Sequence, residues 1–201
     1  MNTIIVEGGK DMGNRIYPIG IQNFEKIRKE GYVYVDKTAL MYKLVKSGSY
    51  FFLSRPRRFG KSLLISTLEA YFEAKRDLFE GLAVETLEKD WVKRPVLHLD
   101  LNIGKYDTPD SLDKILNETL DYWESLYGTR SAETTLALRF AGVVGRAYEQ
   151  SGERVAILID EYDKPLLQAI GNEELQREFR NTLKPFYGVL KTMDGCIKFA
   201  L

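Results

Sequence analysis

Gly60-Lys61-Ser62 sets a flexible residue, a cation and a hydroxyl in a row, a combination suited to holding a polyanion. Residues 50–64 read YFFLSRPRRFGKSLL: a buried strand, a tight basic loop, then the start of an amphipathic helix. That layout makes a phosphate-binding loop, because free backbone N–H groups and a partial positive charge at the helix start face the anion. In such a loop Lys61 reaches the β- and γ-phosphates and the Ser62 hydroxyl coordinates Mg2+. The pattern G-x-x-x-x-G-K-[ST] sets its first glycine at position 55, where this chain has Arg55. A bare Gly-Lys-Ser is frequent by chance and also fits a solvated first helical turn. The reading therefore rests on the strand, the helix and a second motif.

The second motif is Val155-Ala156-Ile157-Leu158-Ile159, a continuous apolar run that ends in Asp160-Glu161. Such a run suits a central parallel strand covered on both faces. An apolar strand followed by two carboxylates is the Walker B arrangement. Asp160 then holds Mg2+ through water, and Glu161 orients and activates the water that attacks the γ-phosphate. The plain alternative is a strand that merely ends in solvent-facing carboxylates.

These residues need a scaffold, and the pattern supplies one. Residues 1–20 carry Gly8, Gly9, Gly13, Pro18 and Gly20 and read as a loose lead-in to a domain over 21–201. A short helical turn is expected over 24–28, an extended piece over 32–35, and a helix over 37–46 capped by Asp36. Strands are expected over 50–53, 95–101, 155–159 and 196–201. Apolar stripes predict helices after the loop (Leu64, Leu68, Tyr71, Phe72), over 111–127 and over 133–150. A last helix over 173–191 is one or two, because Pro185 should kink or split it. Strands alternating with helices imply an α/β fold: a doubly wound parallel sheet with helices on both faces, of the P-loop NTPase type. Stopping on a strand with no following helix reads as truncation after the fourth core strand.

Composition narrows the classes. With 29 basic and 29 acidic side chains, no global field steers the chain to nucleic acid or membrane. A single cysteine, Cys196, excludes an internal disulfide and favours the cytoplasm. No apolar run is long enough to span a membrane, and the N-terminus lacks the pattern of a signal peptide. His98, the one histidine, sits in an apolar run and reads as structural.

Three segments, RPRRFGKSLL, LIDEYDKPL and IGIQNFEKIRKEGYVYVDKT, together resemble the AAA-ATPase-like family, P-loop proteins of bacteria and archaea widespread in gut Bacteroidetes. The resemblance runs from about residue 16 to the end. The family's loop is typically Arg-Pro-Arg-Arg-Phe-Gly-Lys-Ser, so Arg55 follows family habit. It implies ATP and Mg2+ as cofactors, with Arg57, Arg58, Phe59, Gly60, Lys61, Ser62 and Leu63 around the nucleotide. Arg57 and Arg58 face either the phosphates or acidic surface of the protein itself, the latter favoured for at least one. Ser62 and Asp160 would serve the metal, Lys61 and Glu161 catalysis. Residues 34–38 resemble the piece flanking the base pocket, and Asp163 reads as a turn or helix-cap carboxylate. Arg177 and Arg180 are candidates for an arginine finger, with surface salt bridges the favoured reading. Relatives continue into a Thr-Gly-x-x-Arg-Phe segment of sensor type and often end in a restriction-endonuclease-like effector domain. The expected function is thus an ATP-binding, Mg2+-dependent NTPase module that drives or gates an effector. The alternative is a nucleotide-binding switch without turnover. Nucleic acid enters only through the family's nuclease partner, and no membrane partner is expected.

Overall fold

The computed structural model describes residues 16–54 and 59–201. Most of the lead-in, together with Arg55, Arg57 and Arg58, lies outside the described residues. Three parallel strands form one sheet in the order β1 (Val96–Asp100), β2 (Val155–Asp160), β3 (Ile197–Ala200). The central β2 is the most apolar, as a strand covered on both faces must be. Its side chains alternate between two cores. Val155 and Ile157 join Leu97, Leu99 and Ile197 on one face, while Ala156 and Leu158 join Phe199 on the other.

Helices cover both faces. The first core is closed by α5 (Ser111–Tyr127), α6 (Leu136–Ser151) and α8 (Glu173–Thr192). Phe140 of α6 stacks on Trp123 of α5 and on Phe186 of α8, with centroids 5.6 and 4.6 Å apart. The second core is closed by α1 (Phe24–Lys29), α2 (Thr38–Ser47), α3 (Lys61–Phe72) and α4 (Ala83–Leu87). A short α7 (Lys164–Gln168) follows β2. Among the described residues no helix is long and apolar enough to cross a membrane.

The expected strand at 50–53 is reduced to a single bridge, Tyr50 with Ala200. The Phe51 N–H donates to the Ala200 carbonyl (2.9 Å) and the Ala200 N–H to the Ser49 carbonyl (2.7 Å). Among the described residues Phe52 and Leu53 join no ladder. The sheet therefore has three strands and one bridge where four strands were expected.

Helix ends shift by identifiable caps. Asp36 Oδ1 accepts from both the N–H and the hydroxyl of Thr38, at 2.7 Å each, so α2 begins at Thr38 and not at Lys37. Thr135 caps α6 by accepting from the Leu138 N–H, and Glu133 is left outside to hold Arg146. Pro185 does not split α8. A proline removes one backbone donor, and Leu183, Phe186 and Val189, all buried, hold the helix on either side of it.

Candidate functional site

Gly60 turns the loop into α3 with φ +75° and ψ +27°, a left-handed conformation that only glycine adopts freely. Its carbonyl accepts from the Leu64 N–H (3.0 Å), so Lys61, Ser62 and Leu63 form the helix's first turn. Their N–H groups have no acceptor within the helix and point off its end. This is the anion-facing end that the Gly-Lys-Ser spacing demands.

The other half of the site is built by β2. Asp160 is the last strand residue, only 7 % exposed, and its Oδ1 accepts from the Glu161 N–H at 3.0 Å. Glu161 then takes φ +52°, strained for a residue with a Cβ. The turn closes when the Lys164 N–H donates to the Glu161 carbonyl (2.9 Å). It aims Glu161 back at α3, where Oε1 lies 3.8 Å from Lys61 Nζ. Lys61 and Glu161, distant in sequence, thus form a partly exposed ion pair.

Two cavities meet at this pair. A polar one of about 500 Å³ is lined by Gly60, Lys61, Ser62 and Leu63 on one side and by Glu161 and Lys164 on the other. A mostly apolar one of about 420 Å³ is lined by Phe52, Ile65, Tyr162 and Tyr187, with Asp160 at its edge. Lys61 and Glu161 border both. Of the residues singled out in the sequence, Gly60, Lys61, Ser62, Leu63 and Glu161 share the polar cavity. Asp160 borders the apolar one. Phe59 lies largely exposed and lines neither, and Arg57 and Arg58 fall outside the described residues.

Residues 34–38, expected beside a base pocket, line neither cavity either. Tyr34 packs on Phe24 (5.1 Å between centroids), Asp36 accepts from the N–H groups of Thr38 and Ala83 while Lys37 takes the N-cap position of α2, and Thr38 is fully buried. They are scaffold. Asp163 stands at the N-cap position of α7 without a side-chain cap bond. Arg180 donates to Gln176 (3.0 Å), and neither it nor Arg177 forms an ion pair among the described residues.

The donor set bears on Mg2+. Ser62 and Asp160 offer hydroxyl and carboxylate oxygens, the ligands a hard cation takes. Among the described residues Asp160 has one backbone N–H as donor and no cation in ion-pair range. A nearly buried carboxylate so placed is costly without a positive partner. No cluster of three or more acidic, histidine or cysteine side chains stands ready among the described residues.

Asn102 and Lys164 belong to the polar cavity but were not assigned to it in the sequence. The available signal was their place just after two apolar strands that both end in aspartate. Parallel pairing sets Asp100 opposite Asp160 and so brings the two following loops to the same end of the sheet. Near Glu161, Tyr187 donates to the Tyr162 carbonyl (3.3 Å), and burial pushes its phenol well above the usual range.

The family model described as predicted AAA-ATPase matches residues 18–201. An uncharacterized protein in the vnfD 5' region of Azotobacter chroococcum mcd 1 is 40% identical over 192 residues. That alignment covers 94% of this chain and 37% of the relative, so the chain spans little more than a third of that protein's length. No solved structure matches. With the family model matching from residue 18 to residue 201, over a parallel α/β sheet covered by helices on both faces, the chain belongs to the AAA-ATPase-like family.

Proposed function

We propose that the chain is an ATP-binding, Mg2+-dependent NTPase module whose turnover drives or gates an attached effector. One juxtaposition carries this reading: Lys61, at the start of α3, lies 3.8 Å from Glu161, which directly follows Asp160 at the end of β2. The open N–H groups of α3 and the Lys61 ammonium bind phosphate oxygens. Ser62 and Asp160 would hold Mg2+, which would supply charge neutralisation at the phosphates. Glu161 takes the proton of the attacking water as that water's oxygen bonds to the γ-phosphorus and ADP leaves. Lys61 must exchange Glu161 for phosphate as nucleotide enters, and the exchange releases the carboxylate toward the water. A cytoplasmic location follows from the single cysteine and forms part of the same reading.

Calorimetry of ATP and ADP with Mg2+ on the wild-type chain and on Lys61→Ala tests it. Lys61→Ala should weaken binding at least about tenfold, the scale of one charge-assisted contact. Unchanged affinity would remove the phosphate-loop assignment. Glu161→Gln should keep affinity while turnover drops by about 10²–10⁴-fold.

The alternative reading is a nucleotide-binding switch in which nucleotide is held without turnover. Phosphate release in a single-turnover assay separates the two. A wild-type chain that binds ATP yet releases no phosphate supports the switch.

A further inference from the structure

We propose that Lys164 is a second phosphate-binding cation of this site, one that meets the terminal phosphoryl group of a nucleoside triphosphate. The inference rests on the nucleotide reading above and names a residue that reading leaves unused. Three observations carry it. First, Lys164 lines the polar cavity together with Lys61, Ser62 and Glu161. Among the described residues, two lysines against one glutamate give the cavity's charged side chains a net positive charge, suited to an anion. Second, its position is fixed twice. The backbone N–H is tied to the Glu161 carbonyl at 2.9 Å, which closes the strained turn after β2. The ammonium in turn donates to the Asn102 carbonyl and to Asn102 Oδ1, the latter at 3.1 Å. Third, an ammonium has three N–H donors, and Asn102 takes two. That leaves one donor for a ligand in the cavity that Lys164 lines.

The placement also selects which phosphate. Lys61 belongs to the loop side of the cavity, where the α3 N–H groups gather the bound phosphates. Lys164 lines the same cavity from the turn that carries Glu161, the residue assigned to the water. A cation there faces the end of the polyphosphate that the water attacks. It stabilises charge on the transferring group, the task an arginine finger performs elsewhere. ATP should feel Lys164 and ADP should not.

Lys164→Gln keeps a donor for the Asn102 carbonyl and removes the charge. Binding of ATP and of ADP with Mg2+ is measured on wild type, Lys164→Gln, Lys164→Arg and Lys61→Ala, with near-ultraviolet circular dichroism confirming folding. Lys164→Gln should lose about tenfold in ATP affinity with ADP affinity held within about twofold, and Lys164→Arg should regain most of the loss. Lys61→Ala should weaken both nucleotides. Equal losses for ATP and ADP in Lys164→Gln, or no loss for either, would overturn the proposal and leave the phosphate loop standing. Absence of binding to either nucleotide by folded wild type would overturn the nucleotide reading and this assignment with it. If Lys164→Gln does not fold, Lys164→Met takes its place and is read in the same way: a loss confined to ATP supports the assignment, and an equal or absent loss overturns it.

Discussion

Glu161 holds a left-handed backbone conformation at the point where the catalytic proton acceptor is expected. Only glycine takes φ near +52° without steric cost, and strain of this kind is worth about 1–3 kcal/mol. The turn imposes it, since the Lys164 N–H must reach the Glu161 carbonyl while the side chain faces Lys61. Substitutions should therefore sort by backbone preference, not by charge. Glu161→Gly should leave stability within about 1 kcal/mol of wild type, because relief of strain offsets the gained chain entropy. Glu161→Val should lose about 1–3 kcal/mol in urea unfolding, as β-branched residues fit this region worst. A Val variant as stable as the Gly variant would mean the strain is absent. Sequence pattern singled out Lys61, Ser62, Asp160 and Glu161 as candidates because each lies within two residues of an element boundary that hydrophobicity marks. It did not assign Lys164 and Asn102 to the site. Their contact spans 62 positions in sequence and exists only because Asp100 pairs with Asp160.

At the scale of elements, α5, α6 and α8 act as one layer, and their stripes were legible because apolar residues recur with the helical period. What holds α6 at its start was not. Glu133 lies ahead of the helix and receives the Arg146 guanidinium at both oxygens, with Nη2 to Oε2 at 3.0 Å, and both side chains are nearly buried. Gly142 lies beneath that carboxylate: a Cβ added there would fall on Glu133. Gly145, one turn on, has only an ordinary contact with Met193 at 3.5 Å. Alanine should therefore act oppositely at these two glycines of one helix. Gly145→Ala should stabilise by up to about 1 kcal/mol, the difference in helix propensity. Gly142→Ala should destabilise by about 1–3 kcal/mol, because the displaced Glu133 leaves Arg146 unpaired in a nearly buried place. Thermal unfolding of the two variants in parallel checks this, and the same sign for both would refute the packing argument. Of the two outcomes that Pro185 leaves open in the sequence, one helix or two, the structure has one. Local propensity reads one missing hydrogen bond, while the buried Leu183, Phe186 and Val189 hold the helix through tertiary contact.

For the whole molecule, the layer that carries the phosphate loop is tied together by one carboxylate. Glu88, after α4, accepts the hydroxyl of Tyr71 from α3 and the N–H groups of Lys89 and Asp90 (2.9 and 3.1 Å). Lys46 of α2 lies 3.1 Å away. Burial alone would raise the Glu88 pKa. The Tyr71 hydroxyl, the Asp90 amide and the Lys46 ammonium together outweigh burial and hold it at about 2, against an ordinary 4.5. A depressed folded-state value means the unfolded chain binds the proton more readily. The stability Glu88 supplies is therefore fully present above pH 4.5 and is lost as pH falls toward 2. Glu25, held at about 2 by Lys29 and Lys75, acts with the same sign and less strength, being more exposed. Urea unfolding from pH 7 to pH 2 should show stability falling across this window, with about 2–3 kcal/mol of the fall due to Glu88. Glu88→Gln should begin lower at pH 7 and decline less steeply below pH 5. Because Tyr71 belongs to the loop's own helix, α3, and Lys46 to α2 in the same layer, acid should loosen that layer before the α5–α6–α8 layer. Hydrogen exchange at pH 3 should then find faster exchange in α2 and α3 than in α5 and α6. Uniform exchange across both layers would show that Glu88 is not the tie that holds the first.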